Sequence, residues 1–403
     1  MSSPAGLRRC ADVPSAEPQR HRAADIVDPS CRDWPLIVRG SVNYLYIYDV
    51  GSEIDIARIE RVAKLTKPVG FEYTKLMPNY ITVSPSPLLI TADSEVAEVQ
   101  GIRQGTVEVA VAAKAYEVGA ISVTVSIPLD GESLENLTKY SSPTLVLSGR
   151  TLQVKDFALS TVKKVLSDIG PYVNNLRMTT EPEEYTTFCV DCAPLDGTAD
   201  EMLAKILTGD TSDTQMSQSQ IASTLKSRTS YYADDAVFID WSAALVVDPS
   251  GDYGAILLVI ELANLQLLEM RYYDSLLDEL VGKASLDLTR RSSRRTLFGS
   301  SGTVARKVAE QRIEIDSVVE ATKNYTKFIG EWYIARVYSS IAEKLRLKDW
   351  DASLSGKLGI LEDIYSLVSE QMSHRREILL ETIIVALFVA EIIQQFVQWE
   401  LLH

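Results

Sequence analysis

The end of the chain limits its possible folds more sharply than any other part. Residues Ile378 to Leu402 read ILLETIIVALFVAEIIQQFVQWELL, an almost wholly apolar run that begins just after His374-Arg375-Arg376. At ~1.5 Å rise per residue, a helix of this length crosses a hydrocarbon core of roughly 30 Å. Glu381 and Glu391 interrupt the run, and an isolated lipid-facing helix would hold such acids only at a cost of several kcal/mol. The expectation is a single-pass transmembrane helix at 378–402 whose acids face partner helices. Glu381 and Glu391 stand about 80° apart around that helix, and Gln394, Gln395 and Gln398 extend the same side. The rival reading is a water-soluble amphipathic helix buried against another helix.

Composition frames what precedes this run. A chain of 403 residues is long enough for two or more domains with their own cores. The net charge of −15 argues against nucleic acid as a partner, because phosphate contacts need clustered Lys and Arg. Four cysteines, Cys10, Cys31, Cys189 and Cys192, suggest a reducing compartment rather than a disulfide framework. No apolar N-terminal segment reads as a secretory signal, and residues 1–36 mix arginines with acids, unlike a transit peptide. That segment reads as a disordered tail.

Residues 37–250 read as an α+β head domain with an antiparallel or mixed sheet. Val42 to Tyr48 is β-branched and aromatic, as a strand should be, and Ile54 to Val62 switches to helical spacing. Pro68, Gly70, Pro78, Pro85 and Pro87 divide the next stretch into short extended pieces. Thr106 to Tyr116 and Ala120 to Ile127 predict a hairpin around Glu117-Val118-Gly119. Helical spacing covers Leu152 to Val173, a strand covers Glu184 to Val190, and Thr208 to Ser230 reads as a polar surface excursion with short helices. Ala236 to Trp241 and Ala243 to Val247 predict a last pair of strands.

Residues 252–377 change character and read as a long helical stalk. A first helix spans Tyr253 to Ala284, a basic linker spans 286–302, and a second helix spans Thr303 to Leu347. Gly356 and Gly359 mark a bend before a third helix. Leu358, Leu361, Tyr365, Val368, Met372 and Leu379 form one apolar seam. Val304, Val308, Ile315, Val318, Tyr325, Ile329 and Trp332 form another. Such seams suit antiparallel or oligomeric coiled-coil packing, so a homo-oligomer is expected.

Catalytic and metal chemistry find little to build on. Cys189-Val190-Asp191-Cys192 has redox or zinc spacing, yet no second pair or His lies nearby, so two ordinary thiols near a strand end is the plainer reading. Asp234, Asp235 and Asp240 suit turn chemistry. The histidines are His21, His374 and His403, in a tail or beside the apolar run, which leaves no Ser-His-Asp arrangement. Gly299-Ser300-Ser301-Gly302 lacks the Lys-Ser/Thr of a phosphate loop and suits a helix start. No enzyme activity, metal or cofactor is expected. Arg290, Arg291, Arg294 and Arg295 form the one dense basic cluster. It suits phosphate contact, with anionic lipid or RNA, or a phosphorylatable linker around Ser292 and Ser293. The plainer reading is a solvated loop.

The segment Leu380 to Ile393, with its two glutamates around an Ile/Val/Leu run and its basic prelude His374 to Glu377, resembles the required-for-meiotic-nuclear-division family. Phe328-Ile329-Gly330-Glu331-Trp332-Tyr333 is similar to that family's second long helix, and Tyr48 to Asp55 to its first strand-helix unit. The resemblance is best over Tyr325 to Phe396. It implies a tail-anchored, homo-oligomeric, non-catalytic membrane protein, of a kind whose mitochondrial members support translation by organising the apparatus at the membrane. Arg375 and Arg376 would keep the N-terminal domain on the cytoplasmic or matrix side. The alternative is a subunit resembling CorA-type divalent-cation channels, which also join an α+β head to a long helix. Those channels need a second membrane helix and a Gly-Met-Asn loop, which this sequence lacks.

Overall fold

The aromatic run Val42 to Tyr48 is the middle of a long strand, β1 (Ile37–Asp49), whose two faces both meet cores. The computed structural model describes residues 37–63, 87–102, 105–179, 181–192, 199–293 and 332–401. After β1 come β2 (Glu53–Ile54), α1 (Ile56–Ala63), β3 (Leu88–Val99), β4 (Thr106–Tyr116) and β5 (Ala120–Ser133). A 3-10 helix (Leu134–Ser141) leads to β6 (Thr144–Leu147), β7 (Arg150–Gln153), α2 (Val154–Ile169), β8 (Val173–Asn174) and β9 (Glu183–Val190). Then follow α3 (Asp200–Thr208), α4 (Gln218–Leu225), β10 (Arg228–Thr229), β11 (Ala236–Ile239) and β12 (Ala243–Val247). Among the described residues three helices follow: α5 (Gly254–Ser293), α6 (Trp332–Lys344) and α7 (Leu347–Leu401).

The fold is α+β around a ten-stranded mixed sheet in the order β10-β11-β12-β9-β1-β5-β4-β3-β6-β7. Among the described strands, only β12 and β9 pair in parallel. The expected hairpin is β4 and β5, in register from Ala110 opposite Ser126 to Tyr116 opposite Ala120. Its turn needs Gly119, whose φ of +90° brings the chain so near Gly51 that a Cβ would lie 2.0 Å from the Gly51 carbonyl oxygen. The sequence reading missed β3. Asp93, Ser94 and Glu95 leave its middle polar and exposed and interrupt the alternation that marks a half-buried strand.

Period-two alternation divides β1 between two cores. Val42, Tyr44, Tyr46 and Tyr48 pack with α2, α3 and the 3-10 helix on one face. Leu45 and Ile47 pack with α5, α6 and α7 on the other. α3 buries Leu203, Ala204, Ile206 and Leu207, so the polar excursion begins only after it. α5 is buried on nearly all sides over residues 256–270, because the sheet covers one flank and α6 and α7 cover the other.

The helical region departs from expectation in several ways. α5 continues as helix to Ser293, through the first half of the anticipated basic linker; the rest of that linker lies outside the described residues. The second long helix is described only from Trp332, and Trp332 is 70 % exposed rather than set in a seam. The break comes at Arg346, in the left-handed region at φ 55°, where it lets Leu345 and Leu347 both enter the core. Gly356 and Gly359 do not bend the chain and lie inside continuous helix. α5 and α7 pack in parallel: Trp350, Ser353 and Lys357 meet Arg271, Asp274 and Asp278 in the same direction. Leu361 and Leu358 of the expected seam face α5 within one chain. Residues 1–36, 64–86 and the seam from Val304 to Ile329 lie outside the described residues.

Candidate functional site

A set of buried polar side chains on α5 is the feature that sequence reading missed. Glu261, Asn264, Gln266 and Glu269 are all buried in an otherwise apolar helix. Glu261 accepts hydrogen bonds at Oε1 from the Tyr116 hydroxyl at 2.7 Å and from Ser122, and Lys114 Nζ lies 2.5 Å from its Oε2. One carboxylate thereby ties α5 to β4 and β5. Gln266 accepts from the Tyr338 hydroxyl at 2.6 Å, which ties α5 to α6. The available signal was four polar residues inside an apolar run long enough to be surrounded.

A second cluster lies one turn further on. Arg177 bridges Asp49 at 3.1 and 3.2 Å and stacks on Tyr272, its guanidinium 4.0 Å from the ring centre. Arg271 pairs with Glu183 at 2.8 Å. Burial, and then the Asp49 charge, push the Glu269 carboxyl well above the ordinary carboxylate range, against the pull of Arg177. A buried acid with a raised pKa can serve as a proton donor. Glu269, however, stands in the sheet-helix interface and does not line the cleft on the opposite face. The arrangement acts as a polar lock between sheet and helix.

That cleft, of about 280 Å³, lies between the end of the 3-10 helix, the start of α2, β1, β9 and the end of α3. Tyr44, Tyr46, Ser141, Ser142, Lys155, Glu184 and Thr208 are among its lining residues. Lys155 bonds Glu181 at 2.8 Å and Glu184 at 2.6 Å, and those bonds hold its ammonium charged far into the alkaline range. Its charge is already balanced, so the cleft offers hydrogen bonds to a small polar molecule rather than a bare cationic site.

The remaining candidates resolve individually. Cys189 and Cys192 are free and buried; burial keeps the Cys189 thiol protonated and pushes Cys192 up to about 11. Asp235 accepts from the backbone N–H groups of Tyr231 and Tyr232, which is turn chemistry. Asp240 instead pairs with Lys344 at 3.0 Å. No group of three or more His, Cys, Asp or Glu among the described residues could hold a metal ion.

Glu381, Glu391 and Gln394 lie exposed on α7, and Arg375, Arg376 and Gln395 belong to the same helix. Arg290 and Arg291 fall on the last turns of α5 rather than in a loop, while Arg294 and Arg295 lie outside the described residues. The expected transmembrane helix at 378–402 is not supported as a span: among the described residues no helix is long and apolar enough to cross a membrane. What is described there is continuous helix to Leu401, carrying exposed apolar side chains.

Comparison with known proteins places the head. The chain is 27 % identical over 169 residues to "Uncharacterized protein MJ0711" of Methanocaldococcus jannaschii, an alignment covering 42 % of this chain and 51 % of that protein. The chain thus spans about half the length of this curated relative. No solved structure matches. The resemblance of the tail to the meiotic-division family rests on sequence motifs alone. The matched region runs from β1 to the first residue of α5, so the family is defined by the sheet and its own helices: through residues 39–254, the chain belongs to the family described as "Uncharacterized protein MJ0711, N-terminal domain".

Proposed function

We propose that the protein is a non-catalytic, homo-oligomeric scaffold whose α+β head is held at a membrane by the end of α7. One observation carries this reading. Ile378, Leu380, Ile383, Ile384, Val385, Leu387, Phe388, Val389, Ile392 and Ile393 are 46–64 % exposed. At about 100° per residue these side chains point all around the helix rather than along one stripe. A single partner helix covers only a stripe, whereas lipid covers every side.

Glu381 and Glu391 would then face a neighbouring copy, hydrogen-bonded to its Gln394 and Gln395, since lipid exposure of the acids is costly. Arg375 and Arg376 favour an orientation with the head on the cytoplasmic or matrix side. The resemblance of residues 325–396 to the meiotic-division family supports the same reading, including a role in organising partners at a membrane. Flotation of the purified full chain with lipid vesicles, beside a truncation ending at Ser373, tests the proposal. The full chain should float and the truncation should not. A full chain left in the aqueous fraction would refute the proposal.

A further inference from the structure

The cleft beside the start of α2 carries more negative than positive charge. Lys155 is the cation that lines it, and its ammonium group already bonds Glu181 and Glu184. Asp156 follows on the first turn of α2, so three acids surround one ammonium group. Their field reaches the wall: burial, then the Glu184 charge, with Asp156 adding to it, push the Tyr46 phenol up. No side chain caps α2 at Gln153, and an uncapped first turn suits an anion. The surrounding acids oppose one here, so the cleft favours a cation.

The lining narrows the choice further. Tyr44, Pro143, Phe188, Ile206 and Leu207 are buried and line the cleft, which gives it an apolar wall. Glu184 is 46 % exposed, and its bond to Lys155 engages Oε1, so Oε2 can accept from a second donor. The Ser141 hydroxyl, in the same lining, is buried and has no hydrogen-bond partner among the described residues. At ~30 Å³ for each water-sized share, a volume of about 280 Å³ holds roughly nine non-hydrogen atoms. A bare metal ion would leave the apolar wall unused.

We propose that the cleft binds a small aliphatic amine, its ammonium group donating to Glu184 Oε2 and its stem lying on the apolar wall. A charge-assisted bond holds the head, and burial of the stem adds to it. An ammonium group has three N–H donors, and the buried Ser141 hydroxyl is an acceptor for another of them. A free polyamine and a lysine side chain of a partner protein both present this chemistry. The site is built from the sheet and its own helices, so it is independent of the membrane reading.

Calorimetric titration of the full chain in detergent, at about physiological ionic strength, tests the site. The probes are spermidine and a lysine blocked at both backbone ends. Wild type should bind one or both, saturably and one to one; spermidine alone supports a free amine, and the blocked lysine supports a protein side chain. Glu184→Gln should weaken binding about tenfold or more, and Ser142→Trp, at an exposed lining position, should abolish it. Asp168→Asn removes the same charge near the far end of α2 and should bind within about twofold of wild type. Binding of neither probe by wild type overturns the proposal. So do equal losses in Glu184→Gln and Asp168→Asn, which would mark diffuse attraction to a chain of net charge −15. Saturable binding of sulfate that Ser142→Trp removes, without amine binding, assigns the cleft to an anion and overturns the proposal as well.

Discussion

The central part of α5 and the last part of α7 are built from the same residue types and live in opposite surroundings. Leu262, Leu265 and Leu267 of α5 are at most 3 % exposed, whereas Leu380, Leu387 and Ile392 of α7 are about 60 % exposed. Both helices are apolar on nearly every side. α5 satisfies that surface within the chain, because the sheet closes one flank and α6 and α7 close the other. The end of α7 has no such cover among the described residues, and burying apolar surface stabilises by ~25 cal/mol per Å². Each helix also carries acids in its apolar stretch. Glu261 has Lys114, Tyr116 and Ser122 within the fold, while Glu381 and Glu391 lie exposed. The contrast locates where the fold is self-sufficient and where it requires something further.

The largest effects should come from breaking α5. Glu261→Leu leaves the Lys114 ammonium without its partner and should cost about 3–5 kcal/mol in denaturant melts of the full chain in detergent. Leu265→Ala should cost about 2–5 kcal/mol through lost burial and a residual cavity. The equivalent change on the other helix, Leu387→Ala, should leave that melt within ~0.5 kcal/mol. Matching losses at Leu265 and Leu387 would erase the distinction between the two helices. The double variant Glu381→Leu, Glu391→Leu should likewise spare the melt but lower the mass of the detergent-solubilised oligomer; an unchanged mass would move association to other surfaces.

Acidity should act most on the sheet-helix interface, where three largely buried carboxyls gather. The Glu269 carboxyl is raised by burial above its ordinary value of 4.5, and burial also raises Asp49 and Glu183. Such groups hold more protons in the folded state than in the unfolded one. Stability is therefore greatest at acidic pH and falls as pH rises from the unfolded value through the folded one. Glu269→Gln should flatten this decline across weakly acidic to neutral pH, without abolishing the share due to Asp49 and Glu183. A profile as steep as wild type would show that Glu269 ionises normally. The smallest effect is expected at Arg346→Gly, a gain of up to ~1 kcal/mol, because glycine accepts φ 55° without strain and the exposed Arg346–Asp349 pair adds little.

Local pattern revealed much of the head and little of how its helices assemble. Alternation made β4 and β5 readable, apolar and β-branched runs made β9 and β12 so, and the short turn predicted the β4–β5 hairpin. β3 was hidden because its polar middle, Asp93 to Glu95, is exposed, and a strand is read from its buried face. The Arg346 break carried no glycine or proline signal, while Gly356 and Gly359, which did signal a bend, sit in uninterrupted helix. Helix direction is set by tertiary contacts such as Asp274 with Ser353, to which an apolar seam gives no sign. The polar lock at Glu261 was present in the sequence as an acid within an apolar run. Its partners Lys114 and Ser122 come from a distant hairpin that only the fold brings near.

The environment of Phe388 tests most directly whether the end of α7 is a membrane segment. A nitroxide spin label at Phe388Cys, with the four native cysteines replaced and the full chain in lipid vesicles, reports collisions with oxygen and with a water-soluble nickel complex. High oxygen and low nickel accessibility at Phe388, with the reverse at exposed Lys348 of the same helix, is the expected result. High nickel accessibility at both sites, or protection of Phe388 from both reagents without lipid, would contradict a lipid environment for the end of α7.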